Sequence, residues 1–125
     1  MRAAISLIII VILGKECRSP QVCYKDFMSN KKFTVLAYLA DSKNNYNEFT
    51  DSTVTEIING SLSSRSKIIW RTCTEFTLIT LEDRSAFWKP GDTMNVKIVE
   101  KMGDTIAVIG LAKGTSIPWK MVKID

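Results

Sequence analysis

The sequence predicts an all-β domain, a small closed or nearly closed barrel of five to seven short strands, and three observations carry that reading. Short runs rich in β-branched and aromatic residues recur along the chain. Turn dipeptides separate them at close intervals. No stretch carries the i, i+3, i+4 apolar spacing of an amphipathic helix of useful length. With 125 residues there is room for one domain. A two-sheet sandwich is the competing arrangement, and short strands in so short a chain favour the barrel.

The first residues read as an export signal. Arg2 supplies a positive charge, Ala3 to Leu13 is apolar except for Ser6, and Gly14 ends the run. Such a run is too short to cross a hydrocarbon core, which takes about 20 helical residues, but it suits a signal-peptide core. A buried N-terminal strand is the alternative, because Ile8 to Ile12 is strongly β-prone. The order of charge, apolar run and break favours a signal peptide over residues 1–14, with cleavage within 14–16 and a single barrel domain over 17–125. Lys15 and Glu16 directly before Cys17 do not suit lipidation there. The expected location is therefore secreted or periplasmic, with no membrane span after signal removal.

Three cysteines, Cys17, Cys23 and Cys73, then face an oxidising compartment. One pair can bridge. Closing the long loop between Cys23 and Cys73 removes more freedom from the unfolded chain, about 4 kcal/mol against about 2–3 for Cys17 with Cys23. Cys23–Cys73 is the expected disulfide, with Cys17 free or an alternative partner. Zinc is the competing use of cysteine, but there is no Cys-x-x-Cys pair and no histidine. No metal site is expected.

Residues 14–29 read as an irregular lead-in, and Phe33 to Ala40 as the first strand. Asp41 to Asp51 is polar, without apolar periodicity, and is expected to be the most mobile loop. Thr53 to Ile58 is a second strand, and Asn59-Gly60 is a turn dipeptide that accepts positive φ. Asn59-Gly60-Ser61 also matches the N-glycosylation acceptor pattern. Ser61 to Ser66 extends that break, and Lys67 to Arg71 and Thr74 to Leu81 follow as strands. Phe76 and Leu78 share one face there, Thr77, Ile79 and Leu81 the other. A short helical turn fits Arg84 to Phe87, and Pro90-Gly91-Asp92 is a strong turn.

The best-patterned segment is a hairpin from Thr93 to Leu111. Met94, Val96, Ile98, Ile106 and Val108 fall on one face, Asn95 and Lys97 on the other, with a turn at Met102-Gly103-Asp104. Val99, Ala107 and Ile109 share the outer parity, so that face is expected to be partly covered. Trp119 to Ile124 forms a closing strand, with Pro118 at its start or on an edge.

Composition excludes more chemistry than it assigns. Without histidine, Ser-His-Asp and Cys-His nucleophiles cannot be assembled within the chain. No phosphate-cradling glycine loop is present, and no cofactor is implied. Glu82-Asp83 is the only adjacent acidic pair. It borders a turn and reads as solvated surface rather than as an acid/base site. No catalytic residue is expected. The net charge of +4 is too small to imply nucleic acid or an anionic membrane. Trp70, Trp88 and Trp119, flanked by Lys67, Arg71, Lys89 and Lys120, are the candidate binding residues, since aromatic side chains among basic ones can form a stacking surface. The competing reading puts them in the core or at the barrel ends.

The order of features resembles the netrin-like group, which includes the tissue inhibitors of metalloproteinases. The matching pieces are the Cys17/Cys23 segment, the strand from Phe33 to Ala37, the strand from Val54 to Gly60 and the mid-chain Cys73. The resemblance implies an OB-like, five-stranded barrel. It does not carry metalloproteinase inhibition, because the inhibitors begin with Cys-x-Cys and bear later cysteines that this chain lacks. The expected function is an exported, non-catalytic binding module that recognises a protein or a cell-envelope or extracellular component through loops and one barrel face. A structural envelope protein anchored by its N-terminal segment and a histidine-independent enzyme are the alternatives.

Overall fold

A computed structural model describes residues 23–125. The expected export signal, its cleavage region and Cys17 lie outside the described residues. The described chain begins with a five-residue helix, α1 (Tyr24–Met28), and β1 (Lys32–Val35). A 3-10 helix (Leu36–Asp41) leads to β2 (Tyr46–Phe49), β3 (Thr53–Ile58), β4 (Ser61–Trp70) and β5 (Glu75–Asp83). Then come β6 (Thr93–Met102), β7 (Thr105–Ala112) and β8 (Thr115–Ile124). Each strand runs antiparallel to the one before it, and β8 pairs back onto β1 from Lys32↔Ile124 to Val35↔Met121. The sheet is a closed barrel.

Its eight strands in chain order correct the expected five to seven. The up-and-down order also departs from the OB-like barrel, which is a five-stranded Greek key. The extra strand is β2, inside the polar segment expected to be a mobile loop. Only Phe49 of β2 is buried, so the sequence holds no alternation to read. Pairing with β1 on one side and β3 on the other makes it a strand. The segment before it is tied down as well. Asn45, 6% exposed, donates from Nδ2 to the Asp41 carbonyl and carboxylate, both at 3.1 Å, and accepts the Asn59 N–H at 3.1 Å. The Gly60 N–H donates to the Asn44 carbonyl at 2.8 Å. Asparagines that read as mobile thus clamp this segment to the β3–β4 turn.

Two other boundaries moved. The strand expected over 33–40 stops at Val35, and Leu36, Tyr38 and Leu39 of the 3-10 helix are about half exposed. Ser61 to Ser66, expected as a break, is the first half of the ten-residue β4.

The Asn59-Gly60 turn is as the sequence suggests, and a second of the same kind joins β7 to β8. Asn59 and Gly60 hold φ of 52° and 79°, and Lys113 and Gly114 hold 51° and 74°. Two successive positive values match the twist that a two-residue hairpin needs. In the β6–β7 hairpin Val96, Ile98, Ile106 and Val108 are buried and Met94 packs against the core, as the alternation predicts. Ile98 pairs with Val108 but Glu100 with Ala107, so Val99 is a bulge residue and lies half exposed on the outside. Pro118 lies within β8, in the half paired with β7 but beyond the reach of β1, where its missing N–H disrupts no closure.

The barrel has two unlike ends. At the lower end are the β2–β3, β4–β5 and β6–β7 turns and α1. At the upper end are the 3-10 segment, the β3–β4 and β7–β8 turns and the long loop 84–92. The lower half is solid. Phe33 meets Phe27 and Phe49 edge-on at centroid distances of 5.7 and 5.5 Å, and Met28 is fully buried beneath them. The Tyr24 N–H donates to the Cys73 carbonyl at 2.9 Å, and the Lys101 ammonium lies 4.5 Å from the Phe27 ring centre. A five-residue helix is unstable alone. It is held by the apolar side chains with which it plugs the barrel.

Candidate functional site

The upper half of the barrel is hollow. Its cavity has a volume of about 500 Å³, within the range of pockets that take small molecules. Phe49, Phe76 and Met121 form the floor, where the solid core ends. Val54, Leu78, Met94 and Trp119 make apolar wall. A second stretch of wall is polar, from Asn47, Glu56, Ser64, Ser66 and Thr80, and the β5–β6 loop brings Asp83, Phe87 and Trp88 to the mouth.

Strand geometry explains these placements. Alternate residues of β4 point inward, so Ser64 and Ser66 line the cavity above Ile68, which belongs to the core. Glu56 pairs with Ser64 across the β3–β4 ladder and projects to the same side. Its carboxylate accepts from Ser64 Oγ at 3.4 Å, and among the described residues it has no ion-pair partner.

Asp83 arrives by a bulge. Ser66 pairs with Thr80 and Arg65 with Glu82, so Leu81 is the additional residue on β5. By simple alternation Asp83 would share the outer face with Thr77 and Ile79. The bulge reverses that parity, leaving Glu82 outside against Arg65 at 3.8 Å and turning Asp83 inward. Both carboxylates remain half-buried, Glu82 on the outer face and Asp83 at the cavity mouth.

Once inward, Asp83 organises the loop. Its carboxylate accepts from the Ser85 hydroxyl at 2.7 Å, the Ser85 N–H at 3.0 Å and the Trp88 N–H at 2.7 Å. These bonds, the Ser85 hydroxyl foremost, hold its pKa below the ordinary 3.8. A latch completes the loop. The Lys113 ammonium donates to the Phe87 carbonyl at 3.1 Å, pairs with Asp92 at 3.4 Å, and lies 5.0 and 4.9 Å from the ring centres of Phe87 and Trp88. Asp92 also accepts the Lys89 N–H at 2.9 Å, and with Lys113 this lowers its pKa too.

The three tryptophans separate. Trp88 and Trp119 line the cavity. Trp70 lies against the core beside Phe76 at a centroid distance of 4.9 Å, and its indole N–H has no partner among the described residues. The basic residues flanking them, Lys67, Arg71, Lys89 and Lys120, do not line the cavity, and the cation over the Trp88 ring is Lys113. Cys23 and Cys73 are neighbouring free thiols at the lower end, and the hydrogen bond to Cys23 raises the Cys73 pKa. Among the described residues no helix is long and apolar enough to cross a membrane, and no group of three potential ligands is placed to hold a metal ion.

The residues that sequence reasoning missed are Glu56, Ser64, Ser66, Thr80 and Asp83. The signal at Ser64 and Ser66 reads as its opposite, because a strand that faces a cavity has no need of apolar residues and so resembles a loop, whereas Glu56 and Thr80 are single polar residues within segments that read as strands. Comparisons with protein-family models, curated proteins and solved structures find no match to this chain.

Proposed function

We propose that this protein is an exported, non-catalytic binding module that takes one small, largely apolar molecule into the upper half of its barrel. The observation that carries the reading is the contrast between the two halves. The same strands that pack solidly below Phe49 and Phe76 enclose about 500 Å³ above them. Filling that space with protein would have needed only larger side chains at Ser64, Ser66 and Thr80. Eight-stranded closed barrels have interiors of the size that holds one small ligand. The aromatic floor supplies the area that binds an apolar body, and the few polar groups fix its orientation. A secreted or periplasmic setting suits a carrier of such a molecule. The partner is then an extracellular or envelope-derived compound, met inside the barrel rather than on its outer face.

Fluorescence titration with the neutral probe N-phenyl-1-naphthylamine tests this. The probe should bind the parent protein at one site in the micromolar range and quench Trp88 and Trp119. Ser66→Phe, which fills the cavity, should weaken binding at least tenfold, whereas Ile109→Lys on the outer face of β7 should change it less than twofold. The opposite pattern would place binding on the outer face and overturn the reading.

A further inference from the structure

We infer that the molecule bound in the cavity carries a protonated amine, and that Glu56 is the group that receives it. The inference rests on the cavity reading and adds the chemistry of the ligand's polar end. Among the described residues two charged side chains line the cavity, Glu56 and Asp83, and both are acidic. The chain as a whole has 17 basic and 13 acidic residues, so this sign is not inherited from composition. Among the described residues no ammonium or guanidinium group lines the cavity, and those of Lys32, Arg65 and Lys113 are paired with Glu48, Glu82 and Asp92.

The two carboxylates are not equivalent. Asp83 is committed to its own loop by one hydroxyl and two backbone N–H groups at 2.7 to 3.0 Å. Glu56 has one long contact, with Ser64 Oγ at 3.4 Å, and an ionised carboxylate has room for several donors. It is partly sheltered, part of the cavity wall and without a cationic partner among the described residues. A carboxylate in that position repels an anionic head group, such as that of a fatty acid, and favours an ammonium through a charge-assisted hydrogen bond.

Asn47 pairs with Glu56 across the β2–β3 ladder and Ser64 across the β3–β4 ladder. Both line the cavity and offer further oxygen acceptors to a group with three N–H donors. The apolar floor of Phe49 and Phe76 then takes the body of the ligand, and the indole of Trp119 gives a π-face for either end. The ligand class is therefore a small cationic amphiphile, an aromatic or short-chain alkyl amine.

Isothermal titration calorimetry at neutral pH, with three probes that share an indole body, tests this. They are tryptamine, tryptophol and indole-3-acetate. Tryptamine should bind at least tenfold more tightly than tryptophol, and indole-3-acetate more weakly than either. In Glu56→Gln, checked for folding by thermal melting, the preference for tryptamine over tryptophol should fall to within twofold.

Equal or tighter binding of indole-3-acetate, alongside normal uptake of neutral N-phenyl-1-naphthylamine, would overturn the amine inference and leave the cavity reading in place. Failure of the neutral probe and of all three indoles would overturn both. A preference for tryptamine that survives in folded Glu56→Gln would remove Glu56 from the role. Should that variant not fold, the ranking of the three probes on the parent protein still decides the ligand's charge.

Discussion

Gly110 on β7 shows how much of the cavity depends on one missing carbon. A Cβ built there would lie 2.7 Å from both the Met94 sulfur and Trp119 Cζ3, closer than such atoms can approach. The glycine therefore makes the space that the Trp119 indole and the Met94 sulfur occupy beside the β7 backbone. Gly110→Ala should push Trp119 toward the cavity or distort β7, at the roughly 1–3 kcal/mol typical of overpacking. Urea unfolding should show that loss, and probe affinity should fall with it. Retention of full stability and full affinity would mean that Trp119 is not wedged where the structure has it. Val108 gives the complementary case. It is 1% exposed on the same strand, and Val108→Lys would bury an unpaired charge at a cost of several kcal/mol, enough to unfold a domain of about 5–15 kcal/mol stability. Lys97 points outward across from Glu75, so Lys97→Glu loses a favourable neighbour and should cost less than about 1 kcal/mol. This inner and outer assignment was legible from alternation alone, because Val96, Ile98, Ile106 and Val108 all enter the core.

At the scale of elements, legibility follows what each strand faces. Val54 announces β3 and Phe76 announces β5, since both enter the core. The serines of β4 and the polar residues of β2 do not, since these strands wall the cavity or hold a single core residue. The bulges at Leu81 and Val99 are not encoded in the apolar pattern either, yet the first of them decides that Asp83 belongs to the site. Loop 84–92 depends on that carboxylate. Ala86 sits at φ 63°, a conformation that costs a Cβ-bearing residue about 1–2 kcal/mol, and the hydrogen bonds to Asp83 offset it. Both Asp83 and Asp92 have pKa values lowered by folding. The order they give the loop is therefore full above the ordinary carboxylate value of 3.8 and is lost as pH falls below it toward the lowered folded-state values. Hydrogen exchange of the Trp88 and Lys89 amides should accelerate, relative to amides of β6, between neutral pH and about pH 3 after correction for intrinsic rates. Asp83→Asn should bring much of that acceleration to neutral pH. Uniform exchange across both segments would mean that the loop opens only with the whole barrel.

For the whole molecule the decisive feature is the plug. Among the described residues the barrel is closed sideways by β8 on β1 and closed below by α1, so the cavity opens at the upper mouth. α1 itself is held by Phe27, Met28 and one backbone bond from Tyr24 to Cys73. Cys23 stands beside Cys73 at that junction, one residue before the helix begins. Oxidation there would fasten the plug to the β4–β5 turn and close a loop of about 50 residues, the span over which a cross-link removes much of the unfolded chain's freedom. Closing the bridge requires an oxidant, which a disulfide catalyst acting on an exported chain would supply. Non-reducing peptide mapping of the natural protein should therefore find Cys23 joined to Cys73, with sequencing of its N-terminus beginning at or shortly after Lys15. Reduction, or Cys23→Ser, should lower the thermal midpoint by about 10 °C or more. It should also raise exchange at Phe27 and Met28 before it affects loop 84–92. Three free thiols in the natural protein, or a Cys17–Cys23 bridge, would leave α1 held only by its packing and the Tyr24–Cys73 backbone bond.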